Sequence, residues 1–404
     1  MFLLNQHADY RSGLAPVDAE TLGGAGADAI GRHLAERSDH AVTPLHGLPG
    51  LAAELGIGAL HVKDEGHRLG LGSFKALGGG YAVIRLVLEA AELRLGRKLG
   101  DAAFREPEIR AVAAEMTFAC ATDGNHGRSV AQGAQLAGAK AVIVVHAGVS
   151  EERIAAIARF GAQILRVAGT YDDSVVEAAR IAGEKGWIVV SDTSWGGYER
   201  IPGLVMQGYT ALVREALNQL PSRPTQICRP THVFVQAGVG GIAAAVAAHL
   251  ALVLGEARPV FTVVDPARAA CIVEAARAGR PVKVAHGEPT VMAMLECYEP
   301  SPIAWRVLSR VADGFMTVED ADAVTAMNRL ARPVAGDPAI VAGESGCAGL
   351  AGLMRAAADP DIRQALGLDT SSRVLVINTE GATDPERYAE LVGLTPAEVA
   401  GRAA

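Results

Sequence analysis

One lysine lies in a segment where its amine could act as a nucleophile. Lys75 is flanked by apolar side chains inside the nonapeptide G-S-F-K-A-L-G-G-G of residues 72–80. Apolar neighbours solvate an ammonium group poorly, so they favour the neutral amine, which can form a Schiff base with a carbonyl compound. A solvated lysine at the start of a helix explains the same nonapeptide. The rest of the chain must decide between the two interpretations.

A glycine-rich loop, G-V-G-G at residues 238–241, is typical of an anion site. It lies between a predicted strand and an apolar helix predicted to begin at Ile242. Backbone N–H groups at such a helix start favour a phosphate. A dinucleotide is the alternative ligand, because Asp265 ends the next predicted strand, where a ribose-binding acid would lie. However, the spacing is not G-x-G-x-x-G, and the dinucleotide alternative leaves Lys75 without a role.

Two further polar segments follow predicted strands. Residues 122–127 read T-D-G-N-H-G and include Asp123 and Asn125, while residues 191–198 read S-D-T-S-W-G-G-Y and include Asp192. Structural roles explain each residue when it is taken alone. Asp123 suits an Asx turn, Asn125 suits a helix cap, and Asp192 suits a structural acid at a strand end.

Taken together, the segment around Lys75 and residues 122–127, 236–241 and 378–381 resemble the four cofactor-contacting segments of one enzyme family. This family is the pyridoxal-phosphate-dependent enzymes of the tryptophan-synthase β type, also called fold type II. The resemblance extends over residues 43–384. It implies pyridoxal 5'-phosphate (PLP) as the cofactor and a small amino acid as the substrate.

The resemblance assigns cofactor binding to seven residues: Lys75, Asn125, Gly238, Val239, Gly240, Gly241 and Thr379. The amide of the 122–127 segment would hydrogen-bond the phenolic oxygen of PLP, and the glycine-rich loop would bind its phosphate. Thr379 ends the last predicted strand and would offer a hydroxyl to the pyridine nitrogen. Such a partner leaves the nitrogen largely unprotonated, which suits β-elimination better than transamination.

The resemblance assigns catalysis to Lys75, Asp123 and Asp192. Asp123 stands where eliminating and racemising relatives usually have serine, and a carboxylate there would serve as a base. The segment around Asp192 resembles members that act on 2,3-diaminopropionate, so Asp192 would bind the second ammonium group of that substrate. The implied reaction is α,β-elimination of D- and L-diaminopropionate to pyruvate and ammonia. A serine or threonine dehydratase remains the alternative within the family, and a dinucleotide-binding dehydrogenase or sensor remains the alternative outside it.

The elements that must position these residues alternate between strands and helices. Strands are predicted at residues 59–63, 117–121, 141–145, 163–167, 187–191, 233–236, 260–264 and 373–378. Helices are predicted at residues 81–99, 127–137, 150–160 and 174–185, the third with Ser150 as its N-cap. Repeated strand-helix units indicate an α/β fold with parallel sheets flanked by helices. Residues 1–58 are predicted to be an irregular lead-in.

The resemblance also implies two domains with mostly parallel twisted sheets and PLP in the cleft. The large PLP-binding domain would comprise residues 1–82 and 229–404, and the small α/β domain would comprise residues 83–228. The family further implies a homodimer.

Composition narrows the classes of protein. The 404 residues are 50% hydrophobic, and the net charge of −8 is spread without a basic stripe, which argues against nucleic acid as a partner. No apolar run predicts a membrane segment, and the first residues do not suggest a secretory signal, so a cytoplasmic enzyme is expected. The five cysteines lack metal-ligand spacing and are expected to be mostly reduced, although pairing of Cys271 with Cys297 stays open.

Overall fold

The computed structural model describes residues 1–122, 124–169, 171–223, 226–227, 229–334 and 336–402, so the predicted base Asp123 lies outside the described residues. By its contacts the chain divides into two compact units. The large unit comprises Met1–Gly24, Val42–His67 and Leu212–Ala404, and the small unit comprises Ala25–Ala41 and Arg68–Ala211. The domain limits expected from the sequence, after residues 82 and 228, stay predictions.

The described strands are short, and several are buried along their whole length. Numbered in chain order, they are β1 (Phe2–Leu4), β2 (Leu45–Gly47), β3 (Ala59–Asp64), β4 (Thr117–Ala121), β5 (Lys140–His146), β6 (Gln163–Val167), β7 (Ile188–Val189), β8 (Ser222–Arg223), β9 (Gln226–Ile227), β10 (His232–Gln236), β11 (Val260–Pro266), β12 (Gly314–Val318) and β13 (Arg373–Asn378).

Helices separate most of these strands. In chain order they are α1 (Pro16–Leu22), α2 (Gly24–Ala35), α3 (Pro49–Glu54), α4 (Gly79–Leu95), α5 (Pro107–Ala114), α6 (Asn125–Ala137), α7 (Glu151–Ala158), α8 (Tyr171–Lys185), α9 (Arg200–Gln219), α10 (Gly241–Leu254), α11 (Cys271–Ala278), α12 (Pro302–Val311), α13 (Asp320–Ala331), α14 (Ala348–Ala358), α15 (Pro360–Leu366), α16 (Pro385–Val392) and α17 (Pro396–Ala400). Short 3₁₀ helices occupy Glu65–Gly70, Phe74–Leu77, Asp101–Arg105, Gly255–Ala257 and Ala293–Leu295.

The large unit contains a seven-stranded sheet in the order β1-β12-β11-β10-β13-β3-β2. Its five inner strands are parallel, and the edge strands β1 and β2 pair antiparallel. The inner strands carry nearly continuous apolar runs, as buried parallel strands do. Helix α14 contacts β10, β11, β12 and β13, and the core includes Phe234, Val264, Met316 and Val376. This sheet ends at Gln236 and Asn378 next to two predicted site segments.

The small unit contains a four-stranded parallel sheet in the order β6-β5-β4-β7. Helices α4 and α6 cross in close contact, because a Cβ added at Gly133 would lie 2.6 Å from the Cα of Gly80. Glycine at position 133 permits this approach, because it has no Cβ. The predicted α/β fold with mostly parallel sheets flanked by helices is confirmed.

Two predictions about the elements are wrong. Residues 1–58 are not an irregular lead-in, because they supply both antiparallel edge strands of the large sheet and three helices. The strand predicted at residues 187–191 is limited to Ile188–Val189, because the Tyr198 hydroxyl donates to Val189 O and accepts from Ser191 N. Ser150 does cap α7, since its Oγ accepts from Arg153 N. Within the described residues, no helix combines the length and apolarity needed to cross a membrane.

Candidate active site

Lys75 lies in the 3₁₀ helix Phe74–Leu77, which α6 holds in place. Ser129 on α6 donates from its Oγ to Ala76 O at 3.2 Å and accepts from Gly80 N at 2.9 Å. On another side, the Phe74 ring meets the Tyr209 ring edge-on, with the centroids 4.8 Å apart. These contacts fix the backbone on both sides of Lys75.

The Lys75 side chain pairs with a carboxylate. Its Nζ donates to Asp192 Oδ2 at 2.6 Å, and the two side chains are 22% and 12% exposed. Burial alone would raise the pKa of Asp192, but the Lys75 ammonium outweighs burial and holds that pKa below its ordinary value. A carboxylate at this distance stabilises the charged amine. Lys75 therefore has a charged partner in addition to its apolar sequence neighbours.

Tyr198 fixes the segment that carries Asp192. Its hydroxyl donates to Val189 O at 2.7 Å and accepts from Ser191 N at 3.0 Å. The Tyr198 ring stacks on Trp195 with the centroids 4.0 Å apart. The polar segment that follows β7 is thus anchored at the residue that precedes Asp192.

Asn125 begins α6, and Arg128 sets the orientation of its amide. The Arg128 guanidinium donates to Asn125 Oδ1 at 3.1 Å and to Leu71 O at 3.1 Å. Because the amide oxygen accepts from Arg128, the amide nitrogen is the group that Asn125 directs elsewhere. The neighbouring His126 donates from Nε2 to Val190 O at 2.8 Å, and burial lowers its pKa, so the ring is neutral.

In the large unit, residues 238–241 form a tight loop between β10 and α10. Gly240 has φ +100°, a conformation that favours glycine, and its N–H donates to Ala237 O at 3.0 Å. Within the described part of the chain, the N–H groups of Gly238, Val239 and Gly241 have no acceptor. Three N–H groups at the start of a fourteen-residue helix are donors of the kind that bind anions.

Thr379 follows β13, is 2% exposed, and has one hydrogen-bond partner for its hydroxyl among the described residues. This partner is Gln236, the last residue of β10, whose Nε2 lies 2.7 Å from Thr379 Oγ1. An amide N–H donates, so the threonine oxygen accepts and its own proton has no acceptor among those residues. The prediction that Thr379 ends the last strand as a polar hydroxyl is confirmed in its position.

Asp265 does not point to a ribose. It is fully buried, and its Oδ2 accepts from Ile272 N at 2.9 Å and Val273 N at 3.0 Å. The carboxyl group therefore caps the start of α11, which argues against the dinucleotide alternative. Nearby, Cys271 and Cys297 are not joined by a disulfide bond.

Sequence reasoning missed three polar residues that contact the predicted site residues or lie beside them. Arg128 orients Asn125 from three residues further along α6. Gln236 orients Thr379, and only tertiary structure brings these two residues together. The third is Ser73, which is 1% exposed and whose buried Oγ has no hydrogen-bond partner in the described ranges. The position of Ser73, two residues before Lys75, was the sequence signal that could have identified it as a site residue.

The sequence of this chain is similar to those of known enzymes. Residues 37–380 match the family described as pyridoxal-phosphate dependent enzyme. The chain is 39% identical to the diaminopropionate ammonia-lyase of Salmonella typhimurium over 360 residues, which is 88% of each chain.

Solved structures of the corresponding Escherichia coli protein are also similar to this chain. The complex of the E. coli diaminopropionate ammonia-lyase with an aminoacrylate-PLP azomethine reaction intermediate has a TM-score of 0.86 and 35% identity, covering 97% of this chain and 96% of that chain. The complex of that enzyme with D-serine gives the same values.

Proposed function

This chain belongs to the family of pyridoxal-phosphate-dependent enzymes, and from that premise we propose that it is a diaminopropionate ammonia-lyase. The reaction is elimination of the β-amino group of 2,3-diaminopropionate, which yields pyruvate and two ammonia. The observation that carries the proposal is the 39% identity to a diaminopropionate ammonia-lyase over 88% of both chains. The fold is of the corresponding type II, as the similarity to the E. coli structures shows.

The described residues fit PLP. The cofactor needs an amine for its aldehyde, donors for its phosphate and a partner for its pyridine nitrogen. Lys75 supplies the amine, and three N–H groups of residues 238–241 supply donors at a helix start. The buried Thr379 hydroxyl supplies a proton that has no acceptor among the described residues. When bound, PLP supplies an electron sink for the bonds broken at the substrate's α-carbon.

Each of the predicted cofactor-binding residues keeps its proposed role. Lys75 binds the aldehyde carbon, and Gly238, Val239, Gly240 and Gly241 bind the phosphate. Asn125 donates from its amide nitrogen to the phenolic oxygen, an orientation supported by the Arg128 contact with Oδ1. Thr379 donates to the pyridine nitrogen.

The catalytic roles follow from charge. Lys75 removes the α-proton of the L-enantiomer, and Asp123 removes that of the D-enantiomer. Asp192 binds the β-ammonium of the substrate, since it is a carboxylate already placed to bind an ammonium group at 2.6 Å. Once the β-amino group has left, the released enamine hydrolyses in water to pyruvate and the second ammonia.

The setting of the enzyme is also part of the proposal. We expect a homodimer that takes part in amino-acid catabolism in the cytoplasm. Light scattering of the purified protein measures the assembly, and a monomer would contradict the expected dimer.

The cofactor part of the proposal has a direct test. Protein purified with PLP should be yellow, and borohydride reduction should attach a phosphopyridoxyl group to the peptide that contains Lys75. A Lys75→Arg variant is the matched control, because it keeps the positive charge and should lose that attachment. A colourless wild-type protein, or attachment at a different lysine, contradicts the assignment.

A further inference from the structure

The Gln236 side chain hydrogen-bonds to the Thr379 hydroxyl and to several backbone carbonyls near it. It is fully buried at the end of β10, and its Nε2 lies 2.7 Å from Thr379 Oγ1 and 2.7 Å from Gly346 O. Two further carbonyls, Ser345 O and Ile377 O, lie 3.2 Å from the same nitrogen. The Gln236 amide thus links the ends of β10 and β13 to residues 345–346, which precede α14.

The orientation of this amide follows from its surroundings. Its Oε1 accepts from Gly349 N at 3.2 Å, while its nitrogen faces three backbone carbonyls. A flipped amide would place its oxygen against those carbonyls and its nitrogen against an N–H group. The glycine at position 349 is required here, because a Cβ would lie 2.9 Å from Gln236 Oε1 and 2.7 Å from Phe234 O.

Strand pairing explains why a side chain is needed at this point. Strands β10 and β13 pair in parallel from His232 with Val374 to Phe234 with Val376, and the pairing stops there. Beyond it, the Gln236 amide bonds to Ile377 O and to Thr379 Oγ1. The hydroxyl of Thr379 is therefore held by a glutamine side chain where strand pairing has ended.

A hydroxyl has one proton, and this arrangement decides where that proton points. Since Gln236 Nε2 donates to Thr379 Oγ1, the threonine proton must point to another acceptor. We propose that Gln236 is a positioning residue that keeps the Thr379 hydroxyl as a donor toward the pyridine nitrogen of PLP and so holds that nitrogen unprotonated. This inference rests on the proposed function and concerns how strongly the site favours elimination over transamination.

The alternative arrangement shows what Gln236 excludes. Without its N–H, the Thr379 hydroxyl is able to turn and accept a hydrogen bond from a protonated pyridine nitrogen. A protonated nitrogen makes a stronger electron sink, which favours reprotonation and side reactions over elimination. Gln236 therefore selects the reaction without contacting the substrate.

The test is the nitrogen-15 resonance of labelled PLP in the holoenzyme, followed between about pH 6 and pH 9. The wild-type resonance should stay at the unprotonated position throughout. In Gln236→Met, which keeps the length and removes the donor, the pKa of the nitrogen should rise by about one unit or more. Gln132→Met is the matched control, because it removes another buried amide, one that accepts from Arg37, and should leave the resonance unchanged.

Two further variants separate the effect of the Gln236 hydrogen bond from a general loss of packing around this residue. In a Thr379→Val background, Gln236→Met should no longer move the resonance, because the hydroxyl through which Gln236 acts is gone. Thr379→Ser should keep the wild-type resonance, since the amide rather than the threonine methyl group sets the hydroxyl. Gln236→Leu removes the same donor with a side chain of similar size, and it repeats the test if Gln236→Met does not fold.

The possible results distinguish failure of the proposed function from failure of the inference about Gln236. A wild-type protein that binds no PLP overturns the proposed function, and this inference with it. A holoenzyme whose resonance is unchanged in Gln236→Met overturns the inference alone. Equal shifts in the presence and absence of the Thr379 hydroxyl, or a protonated nitrogen in Thr379→Ser, also overturn the inference alone.

Discussion

The Lys75 ammonium and the Asp192 carboxylate form an ion pair of 2.6 Å, although 117 residues separate them in the chain. Asp192 is mostly buried, and its pKa stays below the ordinary value, so it is charged at neutral pH. Tyr198 anchors the backbone that carries it. The small unit therefore presents a fixed negative charge beside its candidate nucleophile.

The first prediction concerns substrate choice. Asp192→Asn should lower kcat/KM for diaminopropionate about tenfold to a hundredfold more than for serine. Only diaminopropionate has a β-ammonium, so only it loses a charge-assisted hydrogen bond, worth ~1.5–3 kcal/mol. Loss of the contact with Lys75 affects both substrates, which makes serine the internal control. Equal losses for the two substrates would remove Asp192 from substrate recognition.

The second prediction concerns stereochemistry. Asp123→Asn should abolish most turnover of D-diaminopropionate, because loss of a general base costs roughly 10²–10⁴-fold. Turnover of the L-enantiomer should stay within a small factor, because Lys75 serves as its base. Pyruvate release from each pure enantiomer measures both rates. The assignment of Asp123 fails if both activities fall together, or if the wild-type enzyme does not use the D-enantiomer.

The third prediction concerns the phosphate loop. Gly240→Ala should weaken PLP binding about tenfold or more, since left-handed strain costs roughly 1–2 kcal/mol and the new Cβ would lie 2.8 Å from Ala304 Cβ. Gly367→Ala is the matched control, because Gly367 also has a positive φ, +67°, but has no atom within 4 Å of the added Cβ. Fluorescence titration with PLP should separate the two variants, and equal affinities would contradict the role of the loop.

The fourth prediction concerns pH. Burial raises the pKa of Asp265 to about 7, although the N–H groups of Val273 and Ile272 oppose that rise. In the unfolded chain this carboxyl loses its proton near pH 4, so between about pH 4 and pH 7 the folded state binds more protons. The free energy of unfolding therefore falls with rising pH, by about 4 kcal/mol from this group.

Asp265→Asn is neutral at every pH and removes this dependence. Its free energy of unfolding relative to wild type should be more favourable at about pH 8 than at about pH 5, as urea denaturation measures. The same difference at both pH values would show that Asp265 is ionised in the folded protein across this range.

Most inner strands were predictable because they are short apolar runs bounded by glycine and polar residues, although the inner strand β12 was not predicted. The predicted limits of β4, β6 and β13 agree with the structure. The first 58 residues were not predictable in the same way. Strand β1 has three residues and pairs at a sheet edge, and α2 begins G-A-G, which is a poor helix signal.

The types of the site residues were readable from the sequence, but their partners were not. Lys75 and Thr379 stand in recognisable segments, whereas Asp192 and Gln236 reach them across 117 and 143 residues. Such contacts arise from the order of strands in the two sheets, which no local pattern specifies. For this reason, the sequence predicted that the Thr379 hydroxyl is the partner of the pyridine nitrogen. It did not reveal that Gln236 contacts this hydroxyl and fixes the direction of its proton.

The most direct measurement is the ratio of ammonia to pyruvate released by the PLP-loaded enzyme from pure 2,3-diaminopropionate, with Lys75→Arg as the control. We expect two ammonia for each pyruvate from diaminopropionate, one for each pyruvate from serine where serine reacts, and none from the Lys75→Arg variant. Faster release of pyruvate from serine, or of 2-oxobutyrate from threonine, than of pyruvate from diaminopropionate would contradict the proposed substrate. A PLP-loaded enzyme that releases no pyruvate from diaminopropionate would contradict the proposal that this protein is a diaminopropionate ammonia-lyase.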